Sequence, residues 1–333
     1  MIKKFLIILA MSTNSLKGVI EEGDILSNEE INVILLGDIH IQDSQSKKQV
    51  CDTFRAIKEL NALLIIEDTN ENIDSLEVPE KIELKIKGDF LNSSKNYLNP
   101  LGYLCKTSNI DNANVEFRAI WIAFSQNCIK LEDAIRKTKD VLNELKNQFD
   151  KLGESDTKKA LIGVCQEIEN DPKWDLLMKY QNLKFNEFIE KISIEELYSI
   201  KGMNFKNESY KKKLIAKFFK NKLKKKFWEI SVPYLTFTYR MIEMQILKEL
   251  NKNRNKKNIF ICAGVNHTKR IKECLSEFKT IKSSDISYKK CLCYCVFNCC
   301  YCYCDKIPKA LDIQEFLKDF IDQNKKEEET IWV

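Results

Sequence analysis

Three short and almost wholly apolar runs constrain this chain more than anything else in it: Ile31 to Leu36, Leu63 to Ile66 and Asn258 to Ala263. They end at Gly37, Glu67 and Gly264. Apolar runs of this length without alternation read as strands buried on both faces, the habit of a parallel sheet. Between the first two, Val50, Phe54, Ile57 and Leu60 recur at helical spacing over residues 45–60. Strand, loop, helix and strand make a βαβ unit, whose crossover is right-handed. Asn114 to Ile122 alternates and predicts a third strand, and Thr268 to Phe278 predicts the helix after the Asn258 run. Helical patterns fill 131–150, 157–170, 185–192 and 207–228, then 233–252, with a closing helix at 311–323.

The expected fold class is therefore α/β: a mixed, mostly parallel sheet flanked by helices, with a large helical insertion. Residues 19–130 supply the N-terminal half of the core, 131–230 the insertion and 231–333 the C-terminal half. Only 9 glycines and 5 prolines punctuate 333 residues, which disfavours a sandwich or barrel of many short strands. No repeat of solenoid length is visible.

Composition excludes several classes. Hydrophobic residues at 44% and charged residues at 31% rule out disorder and collagen-like architecture. The net charge of +5 comes from a lysine-rich chain with only six arginines, so it lacks the arginine signature of a nucleic-acid reader, and no specific nucleic-acid partner is expected. Nine lysines surround Leu214, Ile215, Phe218, Phe219 and Leu223 in residues 211–226. This segment reads first as a packed helix with a solvated lysine face; peripheral contact with an anionic membrane is the alternative.

At the N-terminus, Lys3 and Lys4 precede seven apolar residues, Phe5 to Met11, with Ala10-Met11-Ser12 as a small-x-small site. Residues 1–18 thus read as a short secretory signal, predicting a periplasmic or secreted protein. A buried first strand of a cytoplasmic protein is the alternative. The chain has 13 cysteines, seven of them between Cys291 and Cys304. Their period-two alternation predicts a Cys/Tyr strand or hairpin with reduced thiols, since same-face neighbours at i and i+2 sit at the far edge of disulfide reach. Thiolates at this density also suit a soft metal, although paired C-x-x-C knuckles are absent.

One short motif occurs twice. Leu36-Gly37-Asp38-Ile39-His40 and Ala263-Gly264-Val265-Asn266-His267 both place Gly-x-x-His after an apolar strand, and they contain both histidines of the chain. Each glycine is expected to make a tight turn that aims an imidazole into the crevice above the sheet, where open α/β sheets bind ligands.

With these paired motifs the chain resembles the superfamily of TIKI-type proteases, TraB/PrgY and GumN proteins, erythromycin esterase and ChaN-like proteins. The resemblance covers residues 31–278 apart from the helical block. It extends to the acidic residue ending the second strand, Glu67 in Leu64-Ile65-Ile66-Glu67, and to the arginine on the helix before the second motif, Arg240 in Thr238-Tyr239-Arg240-Met241. It implies a metal-dependent hydrolase cleaving a peptide or small ester substrate, with His40, His267, Glu67 and Arg240 as catalytic residues. ChaN-like relatives are linked to haem or iron uptake, so a non-catalytic ligand-binding protein is the alternative, as is an inactive relative whose helical block is an interaction module.

The chemistry of these residue types agrees with a hydrolase. Two neutral imidazoles and a carboxylate, His40, His267 and Glu67, suit a divalent metal ion of unknown identity, which makes water a nucleophile near neutral pH. Arg240 would stabilise developing negative charge or hold Glu67 by a bidentate pair. Asp38 and Asp43 flank His40 as orienters or a general base, and Arg118 is a further candidate for lining the crevice. A metal-free scheme, with a histidine as base and a carboxylate behind it, uses the same residues.

Overall fold

The computed structural model describes residues 19–39, 46–67, 98–193, 196, 236–284 and 310–331. The predicted signal at 1–18, His40, Asp43, the lysine-rich 211–226 and the cysteine run at 291–304 lie outside the described residues. Two compact units emerge. One holds the described residues up to Glu67, from Leu98 to Ala113 and from Arg254 onward; the other holds those from Asn114 to Asn253.

The first unit is an α/β sheet flanked by helices. In chain order its elements are β1 (Val19–Ser27), β2 (Asn32–Ile39), α1 (Ser46–Glu59), β3 (Leu63–Ile66), α2 (Leu98–Thr107) and β4 (Asn112–Asn114). The chain returns to this unit with β5 (Asn258–Gly264), which follows the helices of the second unit. The six strands run in the order β4-β3-β5-β2-β1-β6, where β6 is Lys279–Ser283.

The sheet is mixed and parallel at its centre. β5 pairs in parallel with β2 on one side, Leu36 opposite Cys262, and with β3 on the other, Ile66 opposite Cys262. A strand from residue 258 onward is thus inserted between two from the first 67 residues, and the carboxyl ends of β2, β5 and β3 share one edge. β1 adds to β2 antiparallel, and β6 adds antiparallel to β1.

Side-chain alternation then sorts the faces. Ile34, Leu36, Leu64, Ile66, Phe260 and Cys262 form one core with Val50 and Ile57 of α1, Leu101 and Cys105 of α2, and Ile313, Leu317 and Phe320 of the last helix, α10 (Ile313–Ile331). The helix between β5 and β6, α9 (Val265–Cys274), packs on the opposite face, over β2 and β5.

The second unit is helical: α3 (Ala119–Ser125), α4 (Leu131–Lys146), α5 (Asp156–Glu169), α6 (Lys173–Lys179), α7 (Phe185–Lys191) and α8 (Thr236–Lys252). An aromatic core holds it. Phe237 of α8 lies 4.7 Å from Trp121 and 4.5 Å from Trp174 between ring centroids, and Phe124 stacks edge-on against Phe185 and Phe188. Both buried indoles are satisfied, Trp121 donating to Thr138 and Trp174 to the Ile168 carbonyl. Among the described residues, no helix is long and apolar enough to cross a membrane.

One local expectation changes. Asn114–Ile122 is not a strand: pairing is confined to Asn112–Asn114, and Ala119–Ser125 is helical. Its alternation is overridden because Ile120, Trp121, Ile122, Ala123 and Phe124 are all buried, so a helix packed all round serves better than a two-faced strand. The helical unit runs from Asn114 to Asn253, which takes in α8 and its Arg240.

Candidate functional site

The carboxyl edge of the three parallel strands brings Glu67 and His267 together. Glu67 follows β3 directly, its main-chain N–H donating to the Cys262 carbonyl at 3.0 Å, so the residue is still tied to β5. That tie aims its side chain across the end of β5, where Oε2 accepts the Gly264 N–H at 2.9 Å. Gly264 is the N-cap of α9 and offers no capping side chain of its own. A carboxylate from the neighbouring strand accepts the N–H of this N-cap residue, the contact that a capping-box carboxylate makes, at the end of the helix where negative charge is favoured.

His267 is the third residue of α9. A helix beginning at Val265 puts its imidazole in the first turn, not in a loop before a helix starting at Thr268. The ring is 2% exposed and Glu67 4%, so both functional groups sit in a largely water-excluded setting. Nε2 of His267 lies 3.9 Å from Oε2 of Glu67. That is too long for a hydrogen bond. It is a few tenths of an ångström longer than the roughly 3.3–3.6 Å that separates two donors each about 2.0–2.2 Å from one divalent ion at the tetrahedral angle. An oxygen and an imidazole nitrogen form a donor pair suited to such an ion, so the two residues fit the expected metal. Among the described residues there is no group of three His, Cys, Asp or Glu side chains able to hold a metal; the expected third ligand, His40, lies outside them.

Asp38 follows Gly37 in β2. It is 2% exposed and stands opposite Gly264 in the parallel ladder. Below it, the Cys262 thiol is pushed well above its ordinary pKa by burial, with Cys105 and Asp38 adding to the effect, and Cys105 itself is raised by burial to about 11. Both remain protonated thiols at neutral pH and act as core residues.

The two arginines belong to the helical unit. Arg240 of α8 pairs with Glu167 at 2.9 Å and with Glu243 one turn along its own helix. Arg118 forms a bidentate pair with Glu116, whose Oε1 also accepts the main-chain N–H groups of Phe117 and Arg118. Asp43, like His40, falls outside the described residues.

The glycines do not make the turns expected of them. Gly37 lies inside β2, which continues to Ile39. Gly264 has φ −57° and ψ 145°, a conformation open to any residue. Val265 and Thr268, which pack directly on Gly37, carry no signal in the sequence that marks them as part of the site.

Fold and site together define an α/β protein with a buried carboxylate–imidazole pair at the carboxyl edge of its central parallel strands. Compared with protein-family models, with curated proteins and with solved structures, the chain matches none.

Proposed function

We propose that this chain is a hydrolase of the TIKI/TraB kind, cleaving a peptide or ester bond with the help of a divalent metal ion held by His40, His267 and Glu67. The observation that carries this reading is the Glu67–His267 pair: both buried, 3.9 Å apart, and set at the edge where α/β sheets place their chemistry. When bound, such an ion supplies Lewis-acid polarisation of the scissile carbonyl. The chain's own residues do the rest. The Gly264 N–H, donating to Oε2 at 2.9 Å, fixes the rotamer of Glu67 across the end of β5. The first turn of α9 holds His267 rigidly against that carboxylate, which limits the reorganisation needed during reaction. Burial of both groups strengthens every electrostatic interaction between them and a substrate.

The test is metal analysis of the purified full chain, followed by a screen of peptide and ester substrates with and without chelator. Glu67→Gln keeps an oxygen for the Gly264 N–H, and His267→Gln keeps most of the buried volume, so both variants should fold. Each should lose about 100-fold or more in turnover. Full turnover in either variant would sink the reading. Tight metal or haem binding without turnover on any substrate would favour the ligand-binding alternative.

A further inference from the structure

The two motif glycines meet very different surroundings. A Cβ placed on Gly264 would lie 3.7 Å from Glu67 Oε2 and 3.7 Å from His267 Cδ2, which is ordinary contact. A Cβ on Gly37 would lie 2.8 Å from Val265 Cγ2, 2.9 Å from Thr268 Oγ1 and 3.2 Å from Val265 Cα. The backbone of Gly37 is ordinary strand, so conformation does not require glycine there; space does.

All three obstructing atoms belong to the first turn of α9, on either side of His267. None can swing aside easily. Val265 is β-branched and held in one rotamer on a helix. The Thr268 hydroxyl is anchored by donating to the Val265 carbonyl at 3.0 Å. The third atom is main chain. A methyl group on Gly37 would therefore move the helix end itself, and His267 with it.

We propose that Gly37 is a positioning residue: its missing side chain seats the first turn of α9 on β2, and this seat sets the distance between His267 and Glu67. The glycine of the first motif thus fixes the histidine of the second. The functional meaning rests on the reading of Glu67 and His267 as the working pair, but the geometry is measurable without any activity.

The same unit contains its own control. A Cβ on Gly23 of β1 would lie 2.8 Å from Phe316 Cε1 and 2.9 Å from Leu311 Cδ2, side chains at α10 on the other face of the sheet. Gly23→Ala should lower stability as a steric clash does, yet leave α9 in place.

The experiment is NMR on the full chain, reading the Gly264 amide and the ring Cδ2–Hδ2 signal of His267, one of only two histidines. Glu67→Ala defines the signals expected when the Gly264–Glu67 hydrogen bond is lost. Gly37→Ala should shift both signals towards that reference, whereas Gly23→Ala should leave both at their wild-type positions. Adding Val265→Ala and Thr268→Ala to Gly37→Ala removes two of the three clashing groups and should return the signals most of the way. If Gly37→Ala does not fold, this triple variant carries the test alone, and its failure to fold would overturn the proposal. Wild-type signals in a folded Gly37→Ala, or equal shifts in Gly23→Ala, would also overturn it. Where turnover is measurable, Gly37→Ala should lower kcat about 10- to 100-fold with KM little changed. Absence of any turnover would count against the hydrolase reading and leave the NMR result standing.

Discussion

Gln49 should be one of the most costly single residues to remove from the α/β unit. It sits on α1, is 3% exposed, and uses both ends of its amide on main chain far away in sequence. Oε1 accepts the Ile20 N–H at 2.9 Å, while Nε2 donates to the Ile20 carbonyl at 2.7 Å and to the Leu311 carbonyl at 2.8 Å. It thereby joins the start of β1 to the entry of α10. In Gln49→Leu the volume is kept and the three bonds are lost. The Ile20 carbonyl still accepts the Leu311 N–H at 3.0 Å, so the buried Ile20 N–H and the part-buried Leu311 carbonyl lose this partner. At about 1–3 kcal/mol for the buried Ile20 N–H left unsatisfied, and less for the Leu311 carbonyl that water can reach, the expected loss is about 1–4 kcal/mol. The assay is urea unfolding followed by far-UV circular dichroism, with an unchanged slope showing that stability rather than compactness has moved. A loss below about 1 kcal/mol would show that the amide bonds are not what holds these segments together. Gln49→Glu should be no better at neutral pH, because it sets a carboxylate against two carbonyl oxygens.

Two further outcomes follow from the helical unit. Gly163 lies inside α5 with no atom within 4 Å of where a Cβ would sit, so Gly163→Ala should stabilise the protein by about 0.5–1 kcal/mol, seen as a raised urea midpoint; a destabilisation would contradict the open surroundings. The Glu196 carboxyl is held down from 4.5 to about 2, first by the Lys179 ammonium and then by Ser193 and the Tyr180 hydroxyl, against an opposing effect of burial. Its folded pKa lies below the unfolded one, so the stability it contributes is present above pH 4.5 and is lost as pH falls towards 2. Glu196→Gln should therefore fall behind the parent only above that window, by less than about 1 kcal/mol because the pair is largely solvated; a constant gap at every pH would refute the ionic origin.

Much of the sheet was legible because burial on both faces leaves an unambiguous trace. β2, β3 and β5 are runs with almost nothing polar, and β3 is buried at all four of its positions. Helices with one clear apolar stripe, such as α1 and α4, were equally plain. β1 and β6 left no such trace. β1 carries Glu21, Glu22 and Asp24, and β6 reads Lys279-Thr-Ile-Lys-Ser at an exposed edge, so neither shows an apolar run. α2 was missed as well, since Pro100 in its first turn reads as a breaker although that position tolerates proline.

By itself, the sequence determined the fold class and pointed to Glu67 and His267, the two residues that the fold brings together at the sheet edge. Apolar runs buried on both faces are the habit of a parallel sheet, and parallel strands ending at Glu67 and Gly264 share one carboxyl edge. Only the tertiary structure decided that β5 enters between β2 and β3, bringing residue 264 beside residue 67. Strand order depends on which buried faces pack together over nearly 200 residues of separation, and no local pattern encodes it. The same holds for Gly37. Its sequence context suggests a turn, but its reason for being glycine is a helix end from the far side of the chain, resting where a side chain would have been.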